Sequence, residues 1–271
     1  MLEQLRHFLQ IVDEGTFTAA SRRAHLSQPA LTASIQRLEE AVGARLLDRG
    51  PGGARPNAAG RAFLPWAEAA VAAVESGKKA VAAIEGIEVG EVRIGAGATV
   101  CTYLLPSVLM AYQAHYPGIL LRLQETDSAE TRRLIAAGRL DIGIVPGEGD
   151  LRWREDDLVL VGPREPRPDD RRHICFPRGT HIREVLTAHF PEAEVVMELN
   201  STTAIKGHVR AGLGIALLSE SAILHDLKHG RLSRIDDPRT PIQRTLSIIH
   251  GPFPTLSPAA RALREALLSA P

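Results

Sequence analysis

Between Phe17 and Arg55 the chain reads FTAASRRAHLSQPALTASIQRLEEAVGARLLDRGPGGAR, and few architectures accept that run. Leu31, Ile35, Leu38 and Val42 recur at spacings of four, three and four, an apolar stripe on a 3.6-residue period that predicts a helix with one buried face. Ahead of it, Phe17, Ala20 and Ala24 give a shorter helix an inner face small enough for a close crossing. Leu26, Ser27 and Pro29 break the first helix and start the second. Ser27 can accept an N–H of the new helix, and Pro29 is tolerated in a first turn, where its missing N–H costs nothing. This is helix-turn-helix grammar. Between the apolar positions stand Gln28, Ala30, Thr32, Ser34 and Arg37, small or hydrogen-bonding side chains. Such a surface can lie in a major groove and reach base edges.

The neighbouring segments fit the same reading. Leu2, Leu5, Phe8, Leu9 and Val12 predict an amphipathic helix, ended by Gly15, that packs behind the pair. After them, Leu46 and Leu47 start a short strand, Pro51, Gly52 and Gly53 form a tight tip, and Arg49 and Arg55 flank it. That is a wing able to reach phosphates or a minor groove. The whole chain has 32 basic and 32 acidic residues, which argues against a non-specific nucleic-acid coat but not against a local positive face. From Gly15 to Asn57 the arginines are 22, 23, 37, 45, 49 and 55, against Glu39, Glu40 and Asp48. Asn57 is placed to cap a long helix. Along it Phe63, Ala67, Ala70, Val74, Gly77, Val81 and Ile84 alternate spacings of four and three, as in a coiled-coil seam. A second copy of the helix would bury this face; packing on the chain's own downstream domain is the alternative.

Gly86 to Gly90 reads as a hinge, and from Glu91 the grammar changes. Strands are expected at 92–96, 119–126, 140–146 and 156–163, with helices at 102–117 and 128–138. A second set follows: a strand and Gly-containing loop before a helix in HICFPRGTHIREVLTAHFP, then a strand at 193–200, a helix at 201–212 and a strand at 213–219. A return strand at 244–251 and an amphipathic helix at 258–270 complete the chain. Alternating strands and helices predict an α/β domain of two lobes with a cleft between strand ends and helix N-termini, a suitable place for a small ligand. At 271 residues, 44% hydrophobic and 24% charged, the composition is that of a soluble globular protein. No apolar run reaches a membrane span, no secretory signal is evident, and two cysteines suit a reduced, cytoplasmic setting.

The order of these features resembles the LysR-type transcriptional regulators over nearly the whole chain. The resemblance is densest in AAS at 19–21, LSQPALTASIQRLEEAVGARLLDR at 26–49 and RPNAAGRAFLPWA at 55–67. It continues in GEVRIGAGATVCTYLLPSVLMAYQAHYP, ETDSAETRRLIAAGRLDIGIV, PRGT at 177–180 and ELNSTTAIKGHVRAGLGIALLSES. It implies a winged helix-turn-helix at 1–57, a linker and dimerisation helix at 58–86, and an effector-binding domain of periplasmic-binding-protein type at 87–271. Lobe I would cover about 91–155 and 250–271, and lobe II about 163–243. It further implies a homodimer or homotetramer on an interrupted palindrome of duplex DNA, with RNA polymerase as a further partner. No cofactor is implied, only a small effector such as an anion or carboxylate. Carried over residue by residue, Ser27, Gln28, Pro29, Ala30, Thr32, Ser34, Arg37, Arg49 and Arg55 face DNA. Thr99, Val100, Cys101, Ser128, Gly179, Thr180, Asn200, Ser201 and Thr202 face the effector. Relatives often carry serine where this chain has Gly97 or Ala98, so the first-lobe wall is less polar than usual.

Other signals carry less. GAGATV at 95–100 lacks the third glycine of a dinucleotide loop. His225 and His229 are four apart but have no evident third ligand, and Cys175 on an apolar strand reads as core. No catalytic set stands out. Two rival readings remain: a DNA-binding regulator without an effector, and a binding protein or enzyme with an accessory helical domain.

Overall fold

The computed structural model describes residues 1–50, 53–82, 90–166, 170–251 and 256–270. The chain divides into two compact units, one comprising Met1–Glu85 with Ala136–Arg139 and Gly251–Ser257, the other Gly86–Ile135, Leu140–His250 and Pro258–Pro271.

The first unit contains α1 (Leu2–Glu14), α2 (Phe17–Arg23), α3 (Gln28–Val42), the antiparallel pair β1 (Leu47–Gly50) and β2 (Gly53–Pro56), and α4 (Ala58–Ala82). Its helix ends follow local chemistry. Gly15 and Gly43 close α1 and α3 in the left-handed region, and the Thr16, Ser27 and Asn57 side chains accept N–H groups of α2, α3 and α4. The core is Leu5, Phe8, Ile11, Phe17, Ala20, Leu31, Ile35, Leu38, Leu46 and Leu47. Two expectations shift. Ile11 is fully buried, while Leu2, Leu9 and Val12 are half-buried, because α1 is contacted by α2, α3 and α4 and its inner face turns toward position 11. Val42 is 38% exposed, since α3 outruns its packing partners by one turn before Gly43 ends it. The turn residues Pro51 and Gly52 lie outside the described residues, as does the expected hinge up to Val89.

The linker helix also corrects its expected seam. Phe63 packs on Phe8 with ring centroids 5.9 Å apart, Ala67 is 1% exposed, and Arg6 pairs with Glu75 at 2.5 Å. Phe63 and Ala67 therefore belong to the core of their own unit, because the first half of α4 is held against α1. The stripe left facing outward is Trp66, Ala70, Val74, Gly77 and Val81, with Trp66 73% exposed; Ile84 lies outside the described residues.

The second unit runs β3 (Gly90–Ala96), a π-helical turn (Val100–Leu104) leading into α5 (Leu105–His115), β4 (Ile119–Glu125), α6 (Ser128–Ala136), β5 (Ile142–Pro146) and β6 (Leu151–Gly162). It continues with β7 (Arg172–Cys175), α7 (His181–His189), β8 (Glu194–Glu198), α8 (Thr202–Arg210), β9 (Ala216–Ser219), α9 (Glu220–Lys228), β10 (Ser233–Arg234), β11 (Ile242–His250) and α10 (Pro258–Ser269). Strands order β10-β6-β11-β5-β3-β4, with β9 also on β6 and a separate parallel pair β7-β8. In lobe I, β3 lies parallel between β4 and β5, buried by α5 and α10; the Tyr112 hydroxyl donates to the Ala259 carbonyl at 2.9 Å. Lobe II packs Ile174, Phe190, Ile205, Val209, Leu217 and Ile223 into a second core. The twelve-residue β6 starts beside the lobe I end of β11 and finishes beside β9 and β10 in lobe II. It begins five residues before the expected strand because its first half, LRWRE, is half-buried on an edge and gives no apolar run. Helix α9 was not anticipated as a separate element. No helix among the described residues is long and apolar enough to cross a membrane.

Ile35→Ala, at a fully buried site on α3, is expected to cost about 2–5 kcal/mol in denaturant unfolding, against less than about 1 kcal/mol for Val42→Ala. Equal losses would contradict the packing described.

Candidate DNA-reading face and ligand cleft

Helix α3 presents Gln28, Pro29, Ala30, Gln36 and Arg37 to solvent, with Thr32 half-buried beside them. Ser27 is exposed, but its hydroxyl accepts the Ala30 N–H at 3.3 Å and serves as the cap. The Arg37 Nε donates to the Ala33 carbonyl at 3.3 Å, one turn back, laying the guanidinium along the exposed face. Ser34 corrects the expectation. It is 8% exposed and its hydroxyl meets His7 Nδ1 at 2.7 Å, so it braces α3 on α1 and cannot touch a base. On the wing Arg55 is exposed opposite Asp48; the backbone of Arg49 pairs with Ala54, and its side chain lies outside the description. Two contacts fix the wing to the helices. Glu39 on α3 accepts the N–H groups of Leu46 and Leu47 at 2.8 and 3.3 Å, and the Ala54 N–H donates to the Gly15 carbonyl at 2.7 Å. Gly53 is required for that second contact: it has φ +104°, and a Cβ there would stand 2.2 Å from the Gly15 oxygen. Gln36 is an exposed polar residue on the same helix that the spacing argument passed over.

In the second unit a cavity of about 310 Å³ opens between the lobes. Its lobe I wall comes from the ends of the parallel strands: Gly97 to Val100 after β3, Glu125 to Ser128 after β4, and Ile144 with Pro146 at the end of β5. Lobe II supplies Phe176, Asn200 and the start of α7, Thr180 to Ile182. The crossing strand β11 adds Arg244 and Leu246. Of the nine expected effector residues, Thr99, Val100, Ser128, Thr180 and Asn200 line this space. The other four do not. The Cys101 thiol donates to the Ala96 carbonyl at 3.3 Å, Gly179 is exposed with φ +86°, Ser201 caps α8 through the Ala204 N–H, and Thr202 is buried at the first position of that helix. The hydrogen bonds of Cys101 and Ser201 and the burial of Thr202 hold their side chains in local roles, and Gly179 has no side chain to offer.

Residues 2–61 match the family model described as the bacterial regulatory helix-turn-helix protein of the lysR family, and residues 85–271 match the LysR substrate binding domain. The chain belongs to the LysR family. It is 30% identical to a protein described as a probable RuBisCO transcriptional regulator of Trichormus variabilis, over 98% of this chain and 87% of that one. A protein of the same description from Gracilaria tenuistipitata var. liui is 31% identical, covering 99% and 96%. Among solved structures the fold resembles CbnR, a LysR family transcriptional regulator, with a TM-score of 0.69 at 22% identity over 98% of both chains. It also resembles a full-length OxyR variant from Pseudomonas aeruginosa, with a TM-score of 0.72 at 20% identity over 100% and 98%. This LysR-family protein is accordingly a DNA-binding transcriptional regulator with an effector-binding α/β domain.

The regulator's cleft has polar residues that the resemblance did not supply. Arg244, 9% exposed, stands directly across from Asp156 in the β6–β11 register. Its Nε donates to Asp156 Oδ2 at 2.8 Å, while the other Asp156 oxygen accepts the Ser219 hydroxyl at 2.6 Å. The period-two pattern of β11 held the signal, since Arg244, Leu246 and Ile248 share one buried face. Ile144 and Pro146 were also within reach of sequence reasoning, because ligands favour the carboxyl ends of parallel strands.

Neither cysteine is in a disulfide. Cys175 is buried beside Arg183, whose Nη1 lies 2.7 Å from the sulfur, and burial still pushes its thiol up. For Cys101 burial, with the Glu125 charge adding to it, raises the thiol to about 11. The raised value disfavours the thiolate below that pH. His225 and His229 stack with centroids 4.1 Å apart on the surface; among the described residues no group of three potential ligands gathers.

Two outcomes follow. At pH 8 iodoacetamide is expected to modify Cys101 about a hundredfold more slowly than a thiol of ordinary pKa, read by mass spectrometry, and unfolding in urea should restore the ordinary rate. Ser34→Ala is expected to cost about 1 kcal/mol of stability and leave DNA affinity unchanged within twofold in fluorescence anisotropy.

Proposed function

We propose that this regulator acts in the cytoplasm as a homodimer or higher homo-oligomer, reads an interrupted palindrome near a promoter, and changes its grip when a small molecule occupies the cleft. In this reading the parts divide at Asn57 and Gly86. Gln28 pairs with a base edge, Ala30 and Thr32 meet thymine methyl groups, and Arg37, Arg49 and Arg55 hold phosphates. RNA polymerase is the further partner there. The observation that carries the reading is the exposed face of α3, which offers Gln28, Ala30 and Arg37 with no glutamate or lysine among the residues from Gln28 to Arg37. A solvated helix face ordinarily carries such residues. CbnR, a neighbour in fold, has been solved in complex with its target DNA. Dimerisation is assigned to the outward stripe Trp66, Ala70, Val74, Gly77 and Val81, an apolar face that a second α4 would bury.

Footprinting on the region upstream of the regulator's own gene tests the DNA assignment. Arg37→Ala is expected to weaken binding at all sequences and reduce the salt slope by about one, whereas Gln28→Ala relaxes preference at one base pair and costs about 1–3 kcal/mol there. A binding isotherm indifferent to both changes would sink the assignment. Val74→Asp is expected to shift the protein toward monomer in size-exclusion chromatography with light scattering; an unchanged dimer removes the stripe from the interface.

A further inference from the structure

Besides sharing the crossing strands, the two lobes meet at Lys206. This residue lies on α8 of lobe II, 9% exposed, and its ammonium has three N–H bonds to place. The Ala222 carbonyl on α9 accepts one at 2.8 Å, and Asp226 Oδ2 on the same helix stands 2.8 Å away. The third partner comes from lobe I: Lys206 Nζ sits over the Tyr103 ring, 4.9 Å from its centroid. Tyr103 belongs to the π-helical turn Val100–Leu104, against which α9 also packs. Arg210 Nη1 donates to the other Asp226 oxygen at 3.3 Å, so one buried carboxylate faces two cations. These three side chains carry a net positive charge, and the electron-rich face of Tyr103 is what lobe I offers to it.

The same turn continues from the wall of the cleft. Gly97, Ala98, Thr99 and Val100 line the cavity, and the Cys101 N–H returns to the Gly97 carbonyl at 3.0 Å. The Leu105 N–H reaches back five residues to the Val100 carbonyl. That bond defines a π turn, which holds one residue more than an α turn and occurs mostly as a single turn at functional sites. Tyr103 stands three residues beyond Val100 inside it, so a displacement of the wall reaches the ring through one turn of backbone.

We propose that Tyr103 and Lys206 form a latch that holds the lobes together beside the cleft, and that the π-helical turn releases it when the wall at Gly97–Val100 shifts. The latch stands on this contact alone; that its release serves an effector rests on the proposed role of the cleft. Its chemistry suits a contact that has to open. Parting the partners of a buried ion pair leaves a charge uncompensated. Lys206 instead keeps Asp226 and Ala222 inside lobe II when the ring departs, and exchanges only a π face for water. At this point the lobes can part without breaking an ion pair.

The test is hydrogen exchange read by mass spectrometry on the full-length protein without ligand. Two variants carry it: Y103L keeps apolar bulk without a ring face, and Y103F keeps the face without the hydroxyl. Y103L is expected to speed amide exchange in residues 97–105 and in α9 at least about fivefold, and Y103F to stay within about twofold of the native rate. K206M tests the other partner. In that background Y103L should add nothing, because both changes remove the same contact. Equal exchange in Y103L and Y103F overturns the latch, and so does an effect of Y103L that persists undiminished in K206M, since the tyrosine would then act as packing alone. If K206M does not fold by circular dichroism, the contrast of Y103L with Y103F decides. The footprint upstream of the regulator's own gene separates the latch from the proposed role of the cleft. Faster exchange in Y103L with an altered footprint supports both. Faster exchange with an unchanged footprint keeps the latch and refutes the coupling of lobe opening to DNA.

Discussion

The pairing of β6 with β11 is the constraint on which the effector domain depends. These strands cross between lobes, and at their middle Arg244 faces Asp156 with both side chains almost fully removed from water. Burying two charges carries a desolvation penalty that a close ion pair offsets only when the remaining hydrogen-bonding capacity is also met. Here the Ser219 hydroxyl meets one Asp156 oxygen and Arg244 Nε meets the other. Slipping one strand by one residue would move its charge to the face opposite its partner, so the pair pins the crossing. The same crossing brings Leu246 to the cavity and, through Ser219 at their junction, fixes where β9 ends and α9 starts.

In the first unit the equivalent constraint is apolar. Leu31, Ile35 and Leu38 of α3 sit fully buried against α1, and Ser34 adds a hydrogen bond to His7 on the same seam. Orientation of most outward residues follows from that burial: with positions 31, 35 and 38 fixed inward, 30, 36 and 37 turn outward, while Gln28 is exposed at the first position of the helix. The linker helix divides its work in sequence order. Its first turns complete the core of their own unit through Phe63 and Ala67, and its later turns leave Val74 and Val81 outside it.

Much of this could be read beforehand wherever one element decided the answer. Helix caps at Ser27 and Asn57, the glycine terminator at 15, and the strands expected at 92–96 and 140–146 depend on neighbouring residues, and sequence reasoning placed them to within two residues. Errors gathered where two elements share a residue. Ser34 looked like a groove-facing hydroxyl because nothing local names His7, 27 residues earlier, as its partner. Phe63 and Ala67 fit a heptad seam equally well as core. Alternation along β11 puts Arg244 on its buried face, but that this face meets Asp156 and the cleft depends on the pairing with β6, 88 residues earlier. Cys101, Ser201 and Thr202 sit at the right turns but point the wrong way, a matter of a single residue of helical phase.

The Glu39 carboxylate, by holding the N–H groups of both Leu46 and Leu47, ties α3 to the start of the wing. Neither element can shift without the other: a displacement of α3 is carried to the wing through one carboxylate, and the face they form moves as a unit.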